Sequence, residues 1–512
     1  LAGVAAGELG GLAATARQPW VPDQAAWQSG QPAASGSEQR AHRPDNATTR
    51  YLCAGVALRP GLRQRILEGV LEEEHRAVIT TPGVDLVTVM KYALAAHRRQ
   101  VIRDVILLVL LCALIVSFFV LRSFVVFLLL LAAAWVTVWV ERYANSWGAA
   151  RGLRPENFSP DKAPSPARNS YASRQLQRIA AAGTTGNVTL YSRFPPFIGY
   201  GVIRSSWSFA VDVTRPRRGA RPRPFSVHEV YGCAQTRLGE LDLPGMEVTA
   251  RVFVDGRDIQ DDRRFLPDPA RPPVTSIGED LLRGLMATPE ERARPYLAIG
   301  MTSWQGDLVV TIFIRFLLSR SDLFIEAAHT VMPPLRPEFK AIDEREPDMQ
   351  PGEFFSLAGG SLVSTVPRLL GSVPGIFHEL AADSRRERKR RQVHQAGNYG
   401  ALFSVREAAA DSNWDRYFQV LDDARYVKVI EQRIFRSLVE FLEDHDIDAS
   451  QLKARAETLV NNGVMVTGGT VNAQAVAAGA NAQAAAGSIG AQAADVVARF
   501  RGGAGAGGGE GG

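Results

Sequence analysis

Two uninterrupted apolar runs dominate the pattern of the chain: VILLVLLCALIVSFFVL from Val105 to Leu121 and FVVFLLLLAAAWVTVWV from Phe124 to Val140, with only Arg122 and Ser123 between them. Neither contains a charge. As helices of about 17 residues, each spans roughly 26 Å, near the lower limit for a hydrocarbon core of about 30 Å. A single helix through both would be roughly 54 Å long and would strand Arg122 at its centre, so the pattern predicts a transmembrane hairpin turning at Arg122 and Ser123. Lys91, Arg98, Arg99 and Arg103 precede the first run and Arg142, Arg151 and Arg154 follow the second. Positive residues favour the cytoplasmic side, which puts both termini there. Trp135, Trp139, Tyr143 and Trp147 sit towards the exit of the second run, where amphipathic rings favour the headgroup layer.

Elsewhere the pattern changes period. Residues 50–100 predict a helical collar, with one helix from Gly61 to Arg76, a turn at Thr81-Pro82-Gly83, and a second helix capped by Asp85 and leading into the membrane. Residues 101–142 hold the hairpin, and the Pro-, Ser- and Arg-rich stretch 143–184 reads as a linker. The segment 185–345 is the expected folded domain. Trp207, Phe209, Val211 and Val213 alternate with polar or small residues, as do Val248, Ala250, Val252 and Val254, and both read as half-buried strands. A hairpin turn is expected at Asp255-Gly256. Ser226 and Glu229 have capping-box spacing at the start of a helix through Leu238. Tyr296–Trp304, Leu308–Leu318 and Leu323–Val331 predict an antiparallel meander. The fold expected is therefore an α+β cytoplasmic domain with an antiparallel sheet, plus the transmembrane hairpin and a C-terminal helical hairpin.

That last element falls in 396–462, where Tyr417, Val420, Leu421, Ala424, Val427, Ile430, Ile434, Leu438, Phe441 and Leu442 line one face of a long helix. A shorter helix from Gln451 to Val460 follows. The surplus apolar face over 414–443 is also a candidate for homo-oligomerisation. Residues 1–49 and the Ala/Gly-rich tail 463–512 lack helical or strand periodicity and read as disordered or low-complexity ends. The tail repeats NAQA, NAQA, GAQA at a period of nine without the Asp residues of calcium-binding nonapeptide rolls.

Charge alters this picture only locally. The 58 Lys and Arg against 53 Asp and Glu make a mildly basic chain, so nucleic acid is not an expected partner. The basic residues are clustered, however. Arg215, Arg217, Arg218, Arg221 and Arg223 share a Pro-rich loop, and Arg385, Arg386, Arg388, Lys389, Arg390 and Arg391 follow the apolar stretch 354–380 within the connector 346–395. Both sets are candidates for anionic lipid headgroups, the second because an apolar segment followed by a polybasic one resembles an interfacial membrane element. A solvated loop and a packed helix followed by a solvated basic helix are the plainer readings.

Candidate chemistry adds little. Cys53, Cys112 and Cys233 have no metal-ligand or disulfide spacing, and no phosphate loop, nucleophile elbow, HExxH or GxGxxG turn is present. Asp255, Asp258, Asp261 and Asp262 could surround a hard cation, but Arg257, Arg263 and Arg264 are interleaved and should neutralise them. No catalytic residue, metal site or cofactor is expected. An enzyme with an unrecognised site in 185–345 would need His228, Asp255 or His329 gathered in a pocket. A small oligomeric channel is disfavoured by spans without ionisable groups.

The passages HRAVITTPGVDLVTVMKYAL, GNVTLYSRFPPFIGYG, FVDGRDIQDDRRFLPDP and NNGVMVTGGTVNAQAVAAGANAQA resemble uncharacterised, Ala- and Arg-rich integral membrane proteins of actinobacteria. The resemblance covers about a third of the chain. It implies a bacterial plasma-membrane location, multi-pass, and brings no activity with it. The function expected is a membrane-anchored cytoplasmic interaction or scaffold protein whose partners are the bilayer and an unidentified protein.

Overall fold

Residues 47–461, apart from 167–169, 218, 345–350, 413 and 415, are described by a computed structural model. The expected disordered end and the nine-residue repeat lie outside them, except that Ala47–Thr49 already belong to helix. The first helix, α1 (Ala47–Leu58), buries Leu52, Cys53 and Val56, and its Thr49 Oγ1 accepts from the Asp85 amide at 3.0 Å. Next, α2 (Pro60–Ile66) continues through a π turn to Leu71 and stops short of the expected Arg76. Glu72, Glu73 and Glu74 come next, and three carboxylates oppose the negative end of a helix dipole.

Asp85 caps α3 as expected, accepting from the Thr88 amide at 3.1 Å. This helix (Leu86–Val116, extended by a π turn to Leu121) runs without a break from the collar through the first apolar run. Arg122 then adopts a left-handed φ of 47°. Ser123 caps α4 (Phe124–Tyr143), which continues by a π turn to Gly148 and then α5 (Ala149–Gly152). The supposed linker 143–184 is thus partly helical, since α6 (Tyr171–Thr185) is capped by Ser170 and buries Leu176 and Ile179. With Leu153, these join Leu52, Ile66, Leu86 and Met90 in a collar core.

The sheet comprises β1 (Val188–Tyr191), β2 (Val202–Asp212), β3 (Met246–Asp255), β4 (Ala293–Ser303), β5 (Leu308–Leu318) and β6 (Asp322–Met332) in the order β1-β3-β4-β5-β6-β2. Helix α7 (Val227–Gly239), with the capping box of Ser226 and Glu229, lies between β2 and β3, and α8 (Glu279–Ala287) between β3 and β4. The meander β4-β5-β6 is antiparallel as expected. The sheet as a whole is mixed, because β1 pairs parallel with β3, Val188 opposite Val252. The chain crosses to the far edge for β2 and returns through α7 before laying β3 beside β1, a route that delivers it in the same direction.

Asp255-Gly256 makes no two-residue hairpin: the chain leaves at Asp255, traverses α8, and returns at Ala293 opposite Val254. Glycine is needed at 256 for another reason. A Cβ there would collide with the backbone of Gly400, and the Gly256 carbonyl accepts from the Tyr399 amide at 2.8 Å.

After β6 come α9 (Pro337–Lys340), α10 (Pro351–Leu380), α11 (Ala382–Ala396), α12 (Val405–Ala408), α13 (Tyr417–Asp444) and α14 (Ser450–Asn461). One face of the sheet packs on α7, α8 and α13 in the main core, where Trp207 and Phe209 stack on Phe435 with centroids at 5.3 and 6.0 Å. From Ile430 to Leu442, therefore, the apolar face of α13 is buried within the domain and is not free for a second copy, contrary to the broad surface expected over 414–443. Of that face, Tyr417, Val420, Leu421 and Ala424 near its start remain exposed, as does the neighbouring Phe418. On the opposite face of the sheet, Phe197 and Tyr200 from the β1–β2 loop cover Phe253, Tyr296 and Phe313.

Candidate functional site

The paired apolar runs leave the collar as a prong. Because each helix is apolar all round, packing one side on the other leaves the remaining sides uncovered. Only 22% and 11% of their most apolar windows are buried, and Phe119 at the tip is 70% exposed. A core helix of a water-soluble protein would show the reverse. Within the prong Thr137 Oγ1 donates to the Ala133 carbonyl at 2.8 Å, and Trp135 Nε1 donates to the Ala358 carbonyl of α10 at 3.0 Å. Leu107, Leu114, Ala134, Val138 and Leu369 form the small core between α3, α4 and α10.

Charge gathers where the prong meets the collar. Arg103 pairs with Asp104 at 2.6 Å and Glu141 at 3.3 Å, and Arg368 of α10 reaches Glu141 at 2.9 Å. Asn145 donates to the other Glu141 oxygen at 2.6 Å and accepts from Arg99 at 3.0 Å. Just outside, Arg63 donates to Gln100 at 2.5 Å, and burial pulls its guanidinium down to about 10. Two of the cations expected to orient the hairpin, Arg99 and Arg103, thus belong to a bonded polar layer, beside which Trp139 stacks on Tyr143.

The basic clusters have specific partners. Arg385 pairs with Glu72 at 2.9 Å, and Lys389 with Glu72 at 3.2 Å and Glu73 at 3.5 Å. Burial alone would raise the Glu72 carboxyl, but Arg385 and Lys389 outweigh it and hold it below the usual range. Arg386 pairs with Asp383 and covers the Tyr171 ring, and Arg390 and Arg391 share Glu387. Arg388 is exposed. What single-sequence reading missed is the complement: the Glu72–Glu74 run and α11 close on each other around a polar cleft of about 220 Å³ that includes His75. Charge reversal between two distant segments was its only signal.

In the other cluster, Arg215 pairs with Asp212, and Arg223 with Asp446 at 3.1 Å. The Arg217 amide donates to the Asp446 carbonyl, so this loop is zipped to the end of α13 rather than to any element at the base of the prong. Arg217 and Arg221 are exposed, and Arg218 lies outside the described residues.

Residues named for catalysis do not converge. Asp255 is held by Arg257 at 2.5 Å, and Asp262 by Arg264 at 2.7 Å, so arginine neutralises both ends of the acidic cluster. His228 lies on α7. His329 bonds Asp423 at 2.8 Å beneath α13, beside Glu431, which accepts from Trp207 at 2.8 Å and whose carboxyl burial pushes up. Among the described residues no group of His, Cys, Asp and Glu has metal-binding geometry.

The AbeC-like domain family matches residues 206–472, just over half of the chain. The chain belongs to that family. Its AbeC-like domain opens within β2 and takes in the meander, α10 and α11, while the collar, the prong and β1 lie outside the matched region. No curated protein and no solved structure matches the chain.

Proposed function

We infer that this protein is a membrane-anchored interaction protein, with the prong as a hairpin through a bacterial plasma membrane, both termini cytoplasmic, and the AbeC-like domain, closed by a helical hairpin of α13 and α14, offering surfaces to a protein partner. The observation that carries this reading is the prong. Two helices apolar on every side, joined by a two-residue turn, stand out of a folded collar with their large side chains uncovered. Basic residues at both roots, the aromatic pair beside them and the resemblance to actinobacterial membrane proteins support the orientation and location. The enzyme alternative has less behind it, since His228, Asp255 and His329 share no cleft.

A single cysteine at Ser123, with Cys53, Cys112 and Cys233 replaced, tests the reading. Labelling from outside intact cells together with resistance to carbonate extraction is the expected result. Release by carbonate without labelling overturns it.

A further inference from the structure

We propose that α10 is a third membrane element: an interfacial helix lying in the cytoplasmic leaflet against the base of the prong, with its large apolar side chains facing lipid acyl chains. The proposal rests on the reading of the prong as a bilayer anchor, and adds to it a helix that does not cross.

Helix α10 is inverted relative to a helix in water. Its buried positions are Ser361, Thr365, Leu369 and Ser372, turned towards the prong, three of the four polar. Gly360 and Gly375 let Arg142 and Asp104 approach closely, and a Cβ at Gly375 would lie 3.1 Å from the Asp104 carboxylate. The inward hydroxyls are satisfied along the helix itself, Ser361 to the Leu357 carbonyl and Thr365 to the Ser361 carbonyl, both at 2.7 Å. Outward, Phe355, Leu362, Val363, Leu370, Phe377 and Leu380 are each between 60% and 80% exposed. A helix that turns serine inward and phenylalanine outward satisfies its surroundings only where those surroundings are apolar.

Depth follows from its partners. Phe354 meets Trp139 with ring centroids at 5.5 Å, and the Ala358 carbonyl accepts from Trp135. Arg368 reaches Glu141, Gly375 faces Asp104, and Glu379 pairs with His97 at 3.2 Å. On the prong these contacts run from His97 to Asp104 in α3 and from Trp135 to Arg142 in α4, and Leu369 joins the core of Leu107, Leu114, Ala134 and Val138. The stretch Phe354–Glu379 is roughly 38 Å long, and its partners, from Trp135 down to His97, descend about 20 Å along the prong's root. The helix therefore crosses the root obliquely and does not climb to the tip. Pro367 and Pro374 lie inside it, where proline removes an intrahelical hydrogen bond and favours a bend.

From Phe355 to Val363 its exposed face continues the apolar surface of the prong on the tip side of the charge layer of Arg103, Asp104 and Glu141, which Arg368 and Gly375 meet further along. That continuity names the occupant as acyl chains, and interfacial helices bury their apolar face by about 5–10 Å.

The test uses the full chain in liposomes of phosphatidylcholine and phosphatidylglycerol. The three native cysteines are replaced by alanine, and one environment-sensitive fluorophore is attached at Val363→Cys, Phe119→Cys or Ser384→Cys. Lipids spin-labelled near the headgroup or mid-chain, and aqueous iodide, act as quenchers. The expected result is that position 363 is quenched several times more strongly by shallow spin-labelled lipid than by iodide, position 119 by lipid, and position 384 by iodide. Quenching of 363 by iodide with 119 still quenched by lipid overturns the proposal and leaves the anchor standing. Protection of 363 from both quenchers also overturns it, and means that a second copy covers α10. Failure of lipid to quench 119 removes the anchor reading and this inference with it.

Discussion

Removing the Glu407 carboxylate should free the loop that roofs the open face of the sheet. Its Oε1 accepts from the Gly199 amide at 2.6 Å and the Gly201 amide at 3.1 Å. These glycines have φ of 94° and 89°, a left-handed backbone that other residues rarely adopt, and the loop between them and β1 carries Phe197 and Tyr200 onto Phe253 and Phe313. In Glu407→Ala both amides lose their acceptor. An orphaned buried amide costs about 1–3 kcal/mol, and partial access of water to this pair suggests a total of about 2–4 kcal/mol. At roughly 2–4 °C per kcal/mol for a domain of this size, the melting temperature should fall on the order of 10 °C. Intrinsic tryptophan fluorescence of the full chain in detergent micelles would follow the melt. Glu407→Gln keeps an accepting oxygen and should lose less than about 1 kcal/mol. The two forms also separate by pH. Burial holds the Glu407 carboxyl above its ordinary value despite the two amides and Arg193, so the folded chain binds its proton more tightly than the unfolded chain. Stability from this group therefore falls as pH rises from the ordinary glutamate value through the raised folded value, and is level above it. The glutamine form lacks that slope, so the advantage of the wild type over it should widen towards acid. An alanine variant melting within about 1 °C of wild type would show that the carboxylate does not hold the loop.

Phe435→Ala removes the ring on which Trp207 and Phe209 stack, and should cost about 3–5 kcal/mol with a red shift of Trp207 emission; an unchanged spectrum would count against the stack. Gly55→Val places its side chain into the Phe339 ring, so α1 must move and about 1–3 kcal/mol or more should be lost in the same melt. Asp343 is bonded by Arg50 at 2.5 and 2.8 Å and by the Tyr51 hydroxyl at 2.6 Å, and the Arg50 hydrogen bond holds its carboxyl below the usual range. Its contribution is present above the ordinary aspartate value of about 3.9 and is lost as pH falls through the lower folded value, so Asp343→Asn should flatten the acid limb of a stability–pH curve.

Local signals in the chain carried their information faithfully. Asp85 and the Ser226–Glu229 pair cap helices because a cap needs only residues three apart, and the meander was legible because each turn joins strands that pair directly. Three features depended on distant partners and were not. Val188–Tyr191 is four residues long, and nothing in it says that β3 will arrive parallel after a passage through β2 and α7. Asp255-Gly256 has the composition of a hairpin, but its glycine serves the approach of Gly400. The basic run of α11 resembles a lipid-binding patch until the Glu72–Glu74 turn is set beside it. Of the prong, the two apolar helices and the turn residues were evident from composition; the charge layer beneath them was not, since Arg368 comes from more than two hundred residues further along the chain.

The unbroken course of α3 from Leu86 to Leu121 bears on how the two halves of the molecule move. Some 36 residues of helix make a rod of about 54 Å with no glycine or proline joint, one part clamped among collar helices and the other in the prong. With the prong in a bilayer, a change of tilt is transmitted to the AbeC-like domain instead of being absorbed by a hinge. Each degree displaces the far end of the rod by about 1 Å. Hydrophobic thickness sets helix tilt, so the height and attitude of the domain over the membrane become a mechanical reading of the lipid around it.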